Sequence, residues 1–575
     1  MRRYLILIES SFAKEPLANI VRRYGADSFS IMSTNGRLTD IDRSSLSVGT
    51  DFTPEHIAYT VLSPKLIDRI KIASLQHETT LLASDYDAEG EKIALDLVEL
   101  AQLKNYKRIN PEHIYQHGLD YALERSTQID QTLIRYQKSK RILDSVLGES
   151  GENRRKNESV GRVLTPLLQS ISNVPLQSAV IHKQLSNDLQ LIVSLHDTEP
   201  LQAKSLAYSL STFNALEWEE SGEQTYQVNT KFWTGKLALL NTAASLAIPI
   251  TRAYDHYQDL YQSGLISYFR TDATTIDSAT YDRIKHCSRI YDFERDSFES
   301  LQLRMEEAGR SRNIYEHAQG GHSILTPLDY SVDPYSKLTN FSERDQVYLL
   351  LLRHFIASAG QTVPVVETKY TLKSVEDNFE NKLFADLMRR HQCSFKVLKR
   401  IAPNTSRFSV MYPEFMPNNY NRCSEAVSDS TSYFTVQKDL AIATRLYQLG
   451  FARPSTFSQH AKNISKHYLS ESLALNRNAQ QALTLAKRAA PGLADNSIYK
   501  QLEDILSEES FTIEARVAKC LTLIQWSKLS LPDSKGPLFN PEIEAILNRS
   551  QFDAPIQPPS PQEVDNDARN DITPA

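Results

Sequence analysis

The sequence predicts a multidomain protein that combines α/β and α+β parts, and three observations support this fold class. The chain has 575 residues, which is enough for several domains with separate cores. Two short apolar runs end in acidic residues and lead into helical patterns, as strands of a parallel sheet do. Strand-like stretches at 180–230 and 362–410 are separated by a largely helical region, which indicates a second, differently built sheet.

Composition and charge are those of an ordinary globular protein. Hydrophobic residues make up 41% and charged residues 23%, and the net charge is −6. No apolar run reaches membrane-span length and the start, MRRYLILIESS, is too short for a secretory signal, so we expect a cytoplasmic protein without a membrane partner. The four cysteines form no CxxC pair, which argues against a zinc ribbon. The negative net charge does not exclude a local basic groove for nucleic acid.

The first apolar run, Tyr4 to Ile8, is typical of a strand buried on both faces. It ends in Glu9, and Lys14 follows where a helix begins. Open α/β sheets carry their chemistry at the carboxyl ends of parallel strands, so Glu9 is a candidate catalytic residue. On this segment alone, a glutamate that caps the following helix is the favoured interpretation, and the catalytic role depends on the rest of the chain.

The second apolar run, Thr80 to Ala83, leads into a turn that carries Asp85, Asp87 and Glu89. Carboxylates this close repel one another and raise one another's pKa, which a divalent cation relieves. Hard oxygen ligands suit Mg²⁺. A solvated acidic loop is the alternative, but the apolar strand before the turn and the helix after it favour a metal site.

The segment GLISYFRTDATTI, residues 264–276, contains a tyrosine and an arginine that could act together. Gly264 ends a helical pattern, and Tyr268 is predicted to stand on a short strand or its exit. On a strand Arg270 projects to the same side as Tyr268, where it could hold a phosphate beside the phenol oxygen. An isolated Tyr-x-Arg is more often a half-buried tyrosine with a solvated arginine, so the rest of the chain must decide.

Two of these segments together resemble one known family. SDYDAEGEKIA resembles the DxDxEGE motif of the Toprim fold, and Glu9 matches the Toprim glutamate. GLISYFRTD is similar to the active-site segment GLITYxRTDS of type IA DNA topoisomerases. Toprim primases and nucleases carry no such tyrosine segment. The resemblance runs from about residue 4 to about residue 535, with the motifs in the same order throughout.

Further segments resemble parts of the family that bind DNA or hold the cleaved phosphate. KRILD, which includes Arg141, resembles a helix that leads to the single-strand groove, and SVGRV resembles a segment that opens a helix against the DNA backbone. GHSILTP resembles the segment whose histidine holds the phosphate, and FARPST resembles one that closes the helical DNA-binding region. The residues that these resemblances and the tyrosine segment assign to DNA binding are Arg141, Ser159, Gly161, Arg162, Gln262, Thr271, Arg453 and Ser455.

Several positions depart from the family's pattern and mark a divergent member. Lys14 lies one residue further from the glutamate than is usual, and Leu164 replaces a glutamine. The remaining departures are Arg37 for a histidine, Ala88 for an arginine, Gln262 for a glutamate, Ser323 for a glutamate and Thr326 for an arginine. They put the rate and the metal affinity in question more than the type of reaction.

The resemblance implies a torus made of a Toprim (Rossmann-like) domain, a helical DNA-binding region, a β-rich arch and an inserted tyrosine domain. The predicted ranges are 1–150 for the Toprim domain, 151–182 and 433–550 for the helical region, 183–231 and 356–432 for the arch, 232–355 for the tyrosine domain and 551–575 for a disordered acidic tail. Within them we expect helices over 101–150, a helix end at Gly450, a new helix at Pro454 and an alanine-rich helix over 476–490.

The implied function is that of an ATP-independent type IA DNA topoisomerase. Tyr268 would attack DNA, with Arg270 and His322 stabilising the phosphate and Lys14 and Glu9 near the leaving oxygen. Asp85, Asp87 and Glu89 would hold Mg²⁺, chiefly for religation. DNA would be the partner of a monomer. A Toprim nuclease and a catalytically weakened single-strand-binding relative remain as alternatives.

Overall fold

The computed structural model describes most of the chain up to residue 527, and all of its described elements belong to one compact unit, Met1–Lys528. The described residues are 3–11, 14–22, 29–111, 113–114, 118–151, 160–186, 189–228, 233–273, 324–329, 331–334, 336–359, 363–374, 378–401, 425–495 and 497–527. The predicted tail, 551–575, lies outside them.

Strands and helices are numbered in chain order. The strands are β1 Tyr4–Ile8, β2 Phe29–Ser33, β3 Thr39–Ile41, β4 Ser47–Val48, β5 Pro54–His56, β6 Tyr59–Val61, β7 Thr79–Ala83, β8 Tyr106–Arg108, β9 Gln177–Gln184, β10 Leu189–His196, β11 Trp218–Val228, β12 Val363–Leu372, β13 Ser394–Ile401, β14 Glu425–Ser428 and β15 Thr431–Thr435. The α-helices are α1 Lys14–Val21, α2 Pro64–Leu75, α3 Ala88–Leu100, α4 Leu119–Glu124, α5 Gln131–Gly151, α6 Leu164–Asn173, α7 Pro200–Ser211, α8 Gly235–Leu246, α9 Ile250–Gln262, α10 Glu343–Ala359, α11 Phe379–Arg390, α12 Lys438–Gln448, α13 Pro454–Tyr468, α14 Arg477–Ala489, α15 Ile498–Ser507 and α16 Ile513–Leu523.

The N-terminal part is a four-stranded parallel sheet in the order β2-β1-β7-β8. Its central strands are apolar on both faces because helices cover both: α2 and α3 pack on one side, and α1 and α4 on the other. The two strands predicted from the apolar runs are therefore confirmed, and they lie next to each other. Their carboxyl ends bring Glu9 and the Asp85 turn to the same edge of the sheet.

The prediction that residues 101–150 are helical was wrong over one short stretch. Tyr106–Arg108 is the fourth strand of the parallel sheet, and it pairs with β7 through Leu82 and Arg108. Three residues are too few to show a period of two, so only the neighbouring strand identifies them. The remainder of that stretch is dominated by the long helix α5.

The second sheet is built from the two separated strand-rich stretches, as the sequence predicted. Seven antiparallel strands have the order β11-β12-β13-β10-β9-β15-β14, so β10 from the first stretch pairs with β13 from the second. Helices α7 and α11 pack on one face of this sheet and form its core with residues such as Leu206 and Phe384. The chain between the two stretches carries α8, α9, α10 and the Tyr268 segment.

The helical elements around Tyr268 share one core. Helices α6, α8, α9, α10, α12 and α13 all contribute to it, together with Tyr268 and Phe269 themselves. Helix α9 ends at Gln262, and Gly264 follows with a left-handed φ of 71°. The predicted short strand is reduced to one isolated bridge, between Ile266 and Pro327, and Tyr268 lies two residues beyond it in irregular backbone.

The C-terminal helices agree with the sequence. Helix α12 ends just before Gly450, whose φ is 68°, and α13 begins at Pro454. The alanine-rich helix is α14. Helix α5 packs against α3, α14, α15 and α16, which joins the first part of the chain to the last described part. Among the described helices, none is long and apolar enough to cross a membrane.

Candidate active site

Four carboxylates meet at the carboxyl edge of the parallel sheet: Glu9 after β1, and Asp85, Asp87 and Glu89 around the start of α3. We call them the acidic cluster. Asp87 caps α3, since its Oδ1 accepts a hydrogen bond of 2.8 Å from the amide of Gly90. A Cβ on Gly90 would lie 1.9 Å from the carbonyl oxygen of Asp85, so only glycine permits this turn.

Tyr268 reaches the acidic cluster from the inserted helical part. Its side chain is 1% exposed, and its hydroxyl donates to Oδ2 of Asp87 at 3.3 Å. Tyr261 packs edge-on against its ring, with centroids 5.5 Å apart. Burial and the charges of Asp87 and Asp85 raise the pKa of Tyr268 well above 10. A reaction of this phenol therefore needs a group that takes its proton, and Asp87 is in contact with it.

Arg270 lies between the acidic cluster and helix α9. Its Nη1 is 3.1 Å from Oδ2 of Asp85, and its Nη2 donates to Oε1 of Gln258 at 2.7 Å. Its Nε is buried and has no hydrogen-bond partner among the described residues. A buried donor without a partner is costly, so this guanidinium retains capacity for an anionic oxygen.

Glu9 differs from the other three carboxylates because no described donor forms a hydrogen bond with its side chain. Burial, followed by the charges of Asp85 and Asp87, raises the pKa of Glu9 to about 9. At neutral pH Glu9 therefore carries a proton. Lys14, predicted to act beside it, is exposed at the first residue of α1, and no described contact joins it to the cluster.

Glu89 faces helix α5 and is held there on both sides. Arg141 Nη2 forms an ion pair with Glu89 Oε1, and Gln137 Nε2 donates to Oε2. Arg141 was predicted to contact DNA. Its side chain is 9% exposed, and its Nη1 donates to the carbonyl of Thr39 at 3.1 Å. Both terminal nitrogens are therefore used inside the protein, and the DNA contact stays a prediction.

The acidic cluster fits Mg²⁺ in its chemistry but is not arranged as a finished ligand set. Carboxylate oxygens are the ligands that Mg²⁺ prefers, and the charges of Asp85 and Asp87 add to burial in raising the pKa of Glu9. Within the described ranges, however, no three acidic, histidine or cysteine side chains converge as metal ligands do. Asp85 and Asp87 are turned instead to Arg270 and Tyr268.

The structure adds two residues that the sequence did not single out. Gly235, at the start of α8, donates its amide to the carbonyl of Thr271 at 2.7 Å, and a Cβ there would lie 1.8 Å from the Phe269 carbonyl oxygen. Arg108 is fully buried, pairs with Glu91 at 2.9 Å and donates to the carbonyl of Asp85 at 2.8 Å. The second glutamate of the EGE triplet was the available signal for this pair.

A second polar cluster joins the predicted DNA-binding residues to one glutamate. Arg162 is 4% exposed and pairs with Asp144 at 2.7 Å and with Glu503 at 2.6 Å. The Tyr136 hydroxyl donates to Glu503 at 2.6 Å. The guanidinium carbon of Arg453 lies 4.1 Å from the Tyr136 ring centroid, with Nη2 3.7 Å from Glu503. Arg162 is therefore fixed internally, whereas Arg453 is partly exposed.

The other predicted site residues are dispersed. Gln262 donates to Ser10 at 3.3 Å, which joins the end of α9 to the residue after Glu9. Thr271, within the tyrosine segment, is buried. Gly161 lies just before α6, and Ser455 is in the first turn of α13. Ser159, His322 and Ser323 lie outside the described residues.

Comparison with known proteins gives one consistent result. A family model described as DNA topoisomerase matches residues 128–508, more than half of the chain. DNA topoisomerase 1 of Treponema pallidum (strain Nichols) is 23% identical over 503 residues, which cover 80% of this chain and 65% of that protein. DNA topoisomerase 1 of Aquifex aeolicus (strain VF5) is 22% identical over 525 residues, covering 85% of this chain and 92% of that protein.

The fold is similar to that of a solved structure, full-length topoisomerase I from Thermotoga maritima. The TM-score is 0.56 at 16% identity, and the match covers 91% of this chain and 89% of the other. Several relatives are longer: the chain spans 65%, 47% and 61% of the length of the proteins from Treponema pallidum, Acanthamoeba polyphaga mimivirus and Rickettsia bellii.

Proposed function

The chain belongs to the type IA family of DNA topoisomerases, and from this premise we propose that it changes the linking of DNA without ATP. Tyr268 cuts a single-stranded segment and forms a 5′-phosphotyrosine bond, another strand passes through the break, and the phosphodiester reforms. The substrate is negatively supercoiled or gapped DNA, with relaxation, decatenation or both as the outcome. The phosphotyrosine conserves the bond energy, so no nucleotide is consumed. We place this reaction in the cytoplasm and assign it to a monomer.

The observation that carries the proposal is the contact between Tyr268 and Asp87. These residues are 181 positions apart, yet the phenol hydroxyl and the carboxylate are 3.3 Å apart. The tyrosine of the inserted helical part thus stands at the carboxyl edge of the parallel sheet, where α/β sheets carry their chemistry. Cleavage by a Toprim nuclease does not require a tyrosine beside the carboxylates, so the geometry favours the topoisomerase over that alternative.

The side chains around Tyr268 can account for both proton transfers of the cleavage step. As the Tyr268 oxygen attacks phosphorus, its proton passes to Asp87. The 3′-oxygen leaves and takes a proton from Glu9, which is protonated at neutral pH because its pKa is raised to about 9. Arg270 compensates the charge that develops on the phosphate, with its buried Nε available as a donor. His322 and Lys14 assist at the same phosphate, as the family resemblance implies.

We assign Mg²⁺ as the cofactor; Asp85, Asp87 and Glu89 would hold it, as the family resemblance implies. To do so, Asp85 and Asp87 would exchange their contacts with Arg270 and Tyr268 for the cation. A bound Mg²⁺ supplies positive charge that orients the phosphate and the ends to be rejoined. The charges of Asp85 and Asp87, which help to raise the pKa of Glu9, support a cation here.

DNA would run from the acidic cluster towards the second polar cluster. Arg453 is the best-placed cation there, since it is partly exposed, and Asp87 contributes to its electrostatic surroundings. We propose that Gly161, Ser159 and Ser455 contact the strand, as the resemblance implies, and that the seven-stranded sheet is the arch of a torus. The sheet starts at Gln177 and ends at Thr435, so the arch would begin earlier and end later than the predicted ranges 183–231 and 356–432. Arg162 would act by holding Glu503 and Asp144 rather than by gripping phosphate.

The decisive experiment compares relaxation of negatively supercoiled plasmid by the wild type and by Tyr268→Phe, with Mg²⁺ and without ATP. We expect stepwise relaxation by the wild type and none by the variant, because phenylalanine keeps the packing but has no nucleophile. Tyr208→Phe, at an exposed tyrosine of α7, is the matched control and should retain activity.

Other outcomes would redirect the proposal. Relaxation by Tyr268→Phe would refute the nucleophile assignment. Broken DNA without protein on its 5′ end would favour the nuclease. Inactivity on both supercoiled and gapped substrates, with single-strand binding intact, would identify a weakened binding relative.

A further inference from the structure

Arg270 is held by helix α9 as well as by the acidic cluster. Its Nη2 donates to Oε1 of Gln258 at 2.7 Å, and its Nη1 donates to Oδ2 of Asp85 at 3.1 Å. The guanidinium carbon lies 5.8 Å from the ring centroid of Tyr254, which stands one turn before Gln258 on the same face of α9. Two elements that are far apart in sequence therefore hold the two terminal nitrogens of the guanidinium.

The two hydrogen-bond partners of Arg270 differ in charge. Asp85 contributes a carboxylate and forms an ion pair, whereas Gln258 contributes an amide oxygen without a charge. An amide oxygen orients an N–H group as a carboxylate does, but it does not neutralise the guanidinium. Gln258 thus fixes one nitrogen of Arg270 and leaves the positive charge available to another anion.

The third nitrogen of the guanidinium depends on how the other two are held. Nε of Arg270 is buried and has no hydrogen-bond partner among the described residues. A guanidinium is planar and its five N–H groups have a fixed geometry, so holding Nη1 and Nη2 also sets the direction of the Nε–H bond. In the cleavage step proposed above, this N–H donates to the phosphate. A rotation that broke the bond to Gln258 would change its direction.

We propose that Gln258 is a positioning residue for Arg270, and that cleavage requires an uncharged acceptor at this place. The inference rests on the proposed function, in which Arg270 compensates the charge that develops on the phosphate. A carboxylate in place of the amide would also hold Nη2. It would add a second negative charge to a guanidinium that already pairs with Asp85, and so reduce the charge that stabilises the transition state.

Single-turnover cleavage of a single-stranded oligonucleotide by the full chain, at saturating DNA, tests the positioning role. Gln258→Met keeps a long side chain and removes the acceptor for Nη2. We expect the cleavage rate to fall by about tenfold or more, because Arg270 loses its fixed orientation. The dissociation constant for uncleaved DNA, measured in the Tyr268→Phe background, should change by less than about threefold, since the lost interaction acts in the transition state. A wild-type cleavage rate in Gln258→Met would overturn the inference.

Gln258→Glu separates the orientation of Arg270 from its charge. This variant keeps an acceptor for Nη2, so its melting temperature should be no lower than that of Gln258→Met. Its cleavage rate should nevertheless be lower than that of the wild type by about tenfold or more, because the guanidinium charge is already compensated before the phosphate arrives. A residue that only stabilised the fold would let glutamate restore cleavage together with stability. Restored cleavage in Gln258→Glu would therefore refute the requirement for an uncharged acceptor.

Two further variants separate this inference from the proposed function. Gln202→Glu adds the same charge at an exposed position of α7 and should cleave within about twofold of the wild type, since distant exposed charges are screened. An equal loss in Gln202→Glu and Gln258→Glu would show a general charge effect and refute the requirement. Arg270→Met should not cleave. Wild-type cleavage by Arg270→Met would reject the role of Arg270 in the proposed function, whereas an inactive Arg270→Met beside an active Gln258→Met would reject the positioning role alone.

Discussion

Two glutamates show how neighbours decide the protonation of the same side chain. Burial and adjacent carboxylates raise the pKa of Glu9 to about 9. Glu503 is also buried, yet the charges of Arg162 and Arg453 outweigh burial and lower its pKa to about 2. Glu9 is therefore a proton donor at neutral pH, and Glu503 a permanent anion. Nothing in the sequence around either residue distinguishes these roles.

The proton on Glu9 leads to a pH prediction for cleavage. In metal-free buffer, the single-turnover cleavage rate of a single-stranded oligonucleotide should fall as the pH rises through about 9, because the acid form of Glu9 is lost. Glu9→Gln cannot donate a proton, so its rate at pH 7 should be lower by about a hundredfold and should lack this decline. A wild-type profile with no decline between pH 8 and 10 would exclude Glu9 as the acid; these limits bracket its pKa of about 9.

At the scale of elements, the tyrosine segment is held by the start of helix α8. Thr234 caps this helix, Gly235 accepts the close approach of the Phe269 carbonyl, and Lys236 pairs with Asp272 at 3.0 Å. The segment has no strand of its own, so these contacts and the packing of Tyr261 fix where Tyr268 lies. The start of helix α8 thus fixes the position of the tyrosine segment, as neighbouring strands would fix a strand in a sheet.

Gly235→Ala tests this support. The added Cβ would meet a backbone oxygen at 1.8 Å, which cannot be relieved by a side-chain rotation. We expect the free energy of unfolding to fall by about 2 kcal/mol, together with a loss of cleavage as Tyr268 shifts. Denaturant unfolding measures the first effect and oligonucleotide cleavage the second.

Gly161→Ala is the matched control for stability, since its Cβ would meet only Leu164 Cβ at 3.9 Å. It should unfold within about 0.5 kcal/mol of the wild type. Equal stability of the Gly235 and Gly161 variants would show that α8 does not constrain the segment.

Across the whole molecule, Glu503 joins parts of the chain that are far apart in sequence. It pairs with Arg162, 341 residues earlier, and accepts from Tyr136, 367 residues earlier. Helices α5, α13 and α15 and the start of α6 meet at this carboxylate. Ion pairs and hydrogen bonds of Glu503 therefore help to stabilise the described helical region, in addition to its apolar cores.

The pH dependence of stability follows from the lowered pKa of Glu503. Its contribution is present above its ordinary pKa of 4.5 and is lost as the pH falls towards about 2. Glu503→Gln should lower the free energy of unfolding at pH 7 by about 3 kcal/mol, because Arg162 stays buried with one partner fewer. The difference from the wild type should shrink below pH 4, as thermal unfolding would show.

Glu124→Gln provides the comparison, because this exposed glutamate forms a surface ion pair of 3.8 Å with Arg125. It should change stability by about 0.5 kcal/mol or less at any pH. A Glu503 variant that behaves like this control would remove the assigned role.

Much of the fold could be predicted from local pattern. The buried runs at Tyr4–Ile8 and Thr79–Ala83, the helix ends at Gly264 and Gly450, and the pairing of the two strand-rich stretches are all present. Periodicity and glycine conformation are local properties, so a sequence displays them directly. The short strand at Tyr106–Arg108 and the irregular backbone at Tyr268 were missed, because neighbouring elements alone define them.

The sequence by itself determined the family, the strand ends that carry Glu9 and Asp85, and the tyrosine segment, because motif order and residue type require no coordinates. Only the tertiary structure decided which donors face each carboxylate. It directed Glu89 to Gln137 and Arg141, enclosed Arg162 with Glu503, and brought Tyr268 to Asp87. The reason is physical: the pKa of a group and its capacity to bind depend on burial and on charges within a few ångströms, and distant segments supply both.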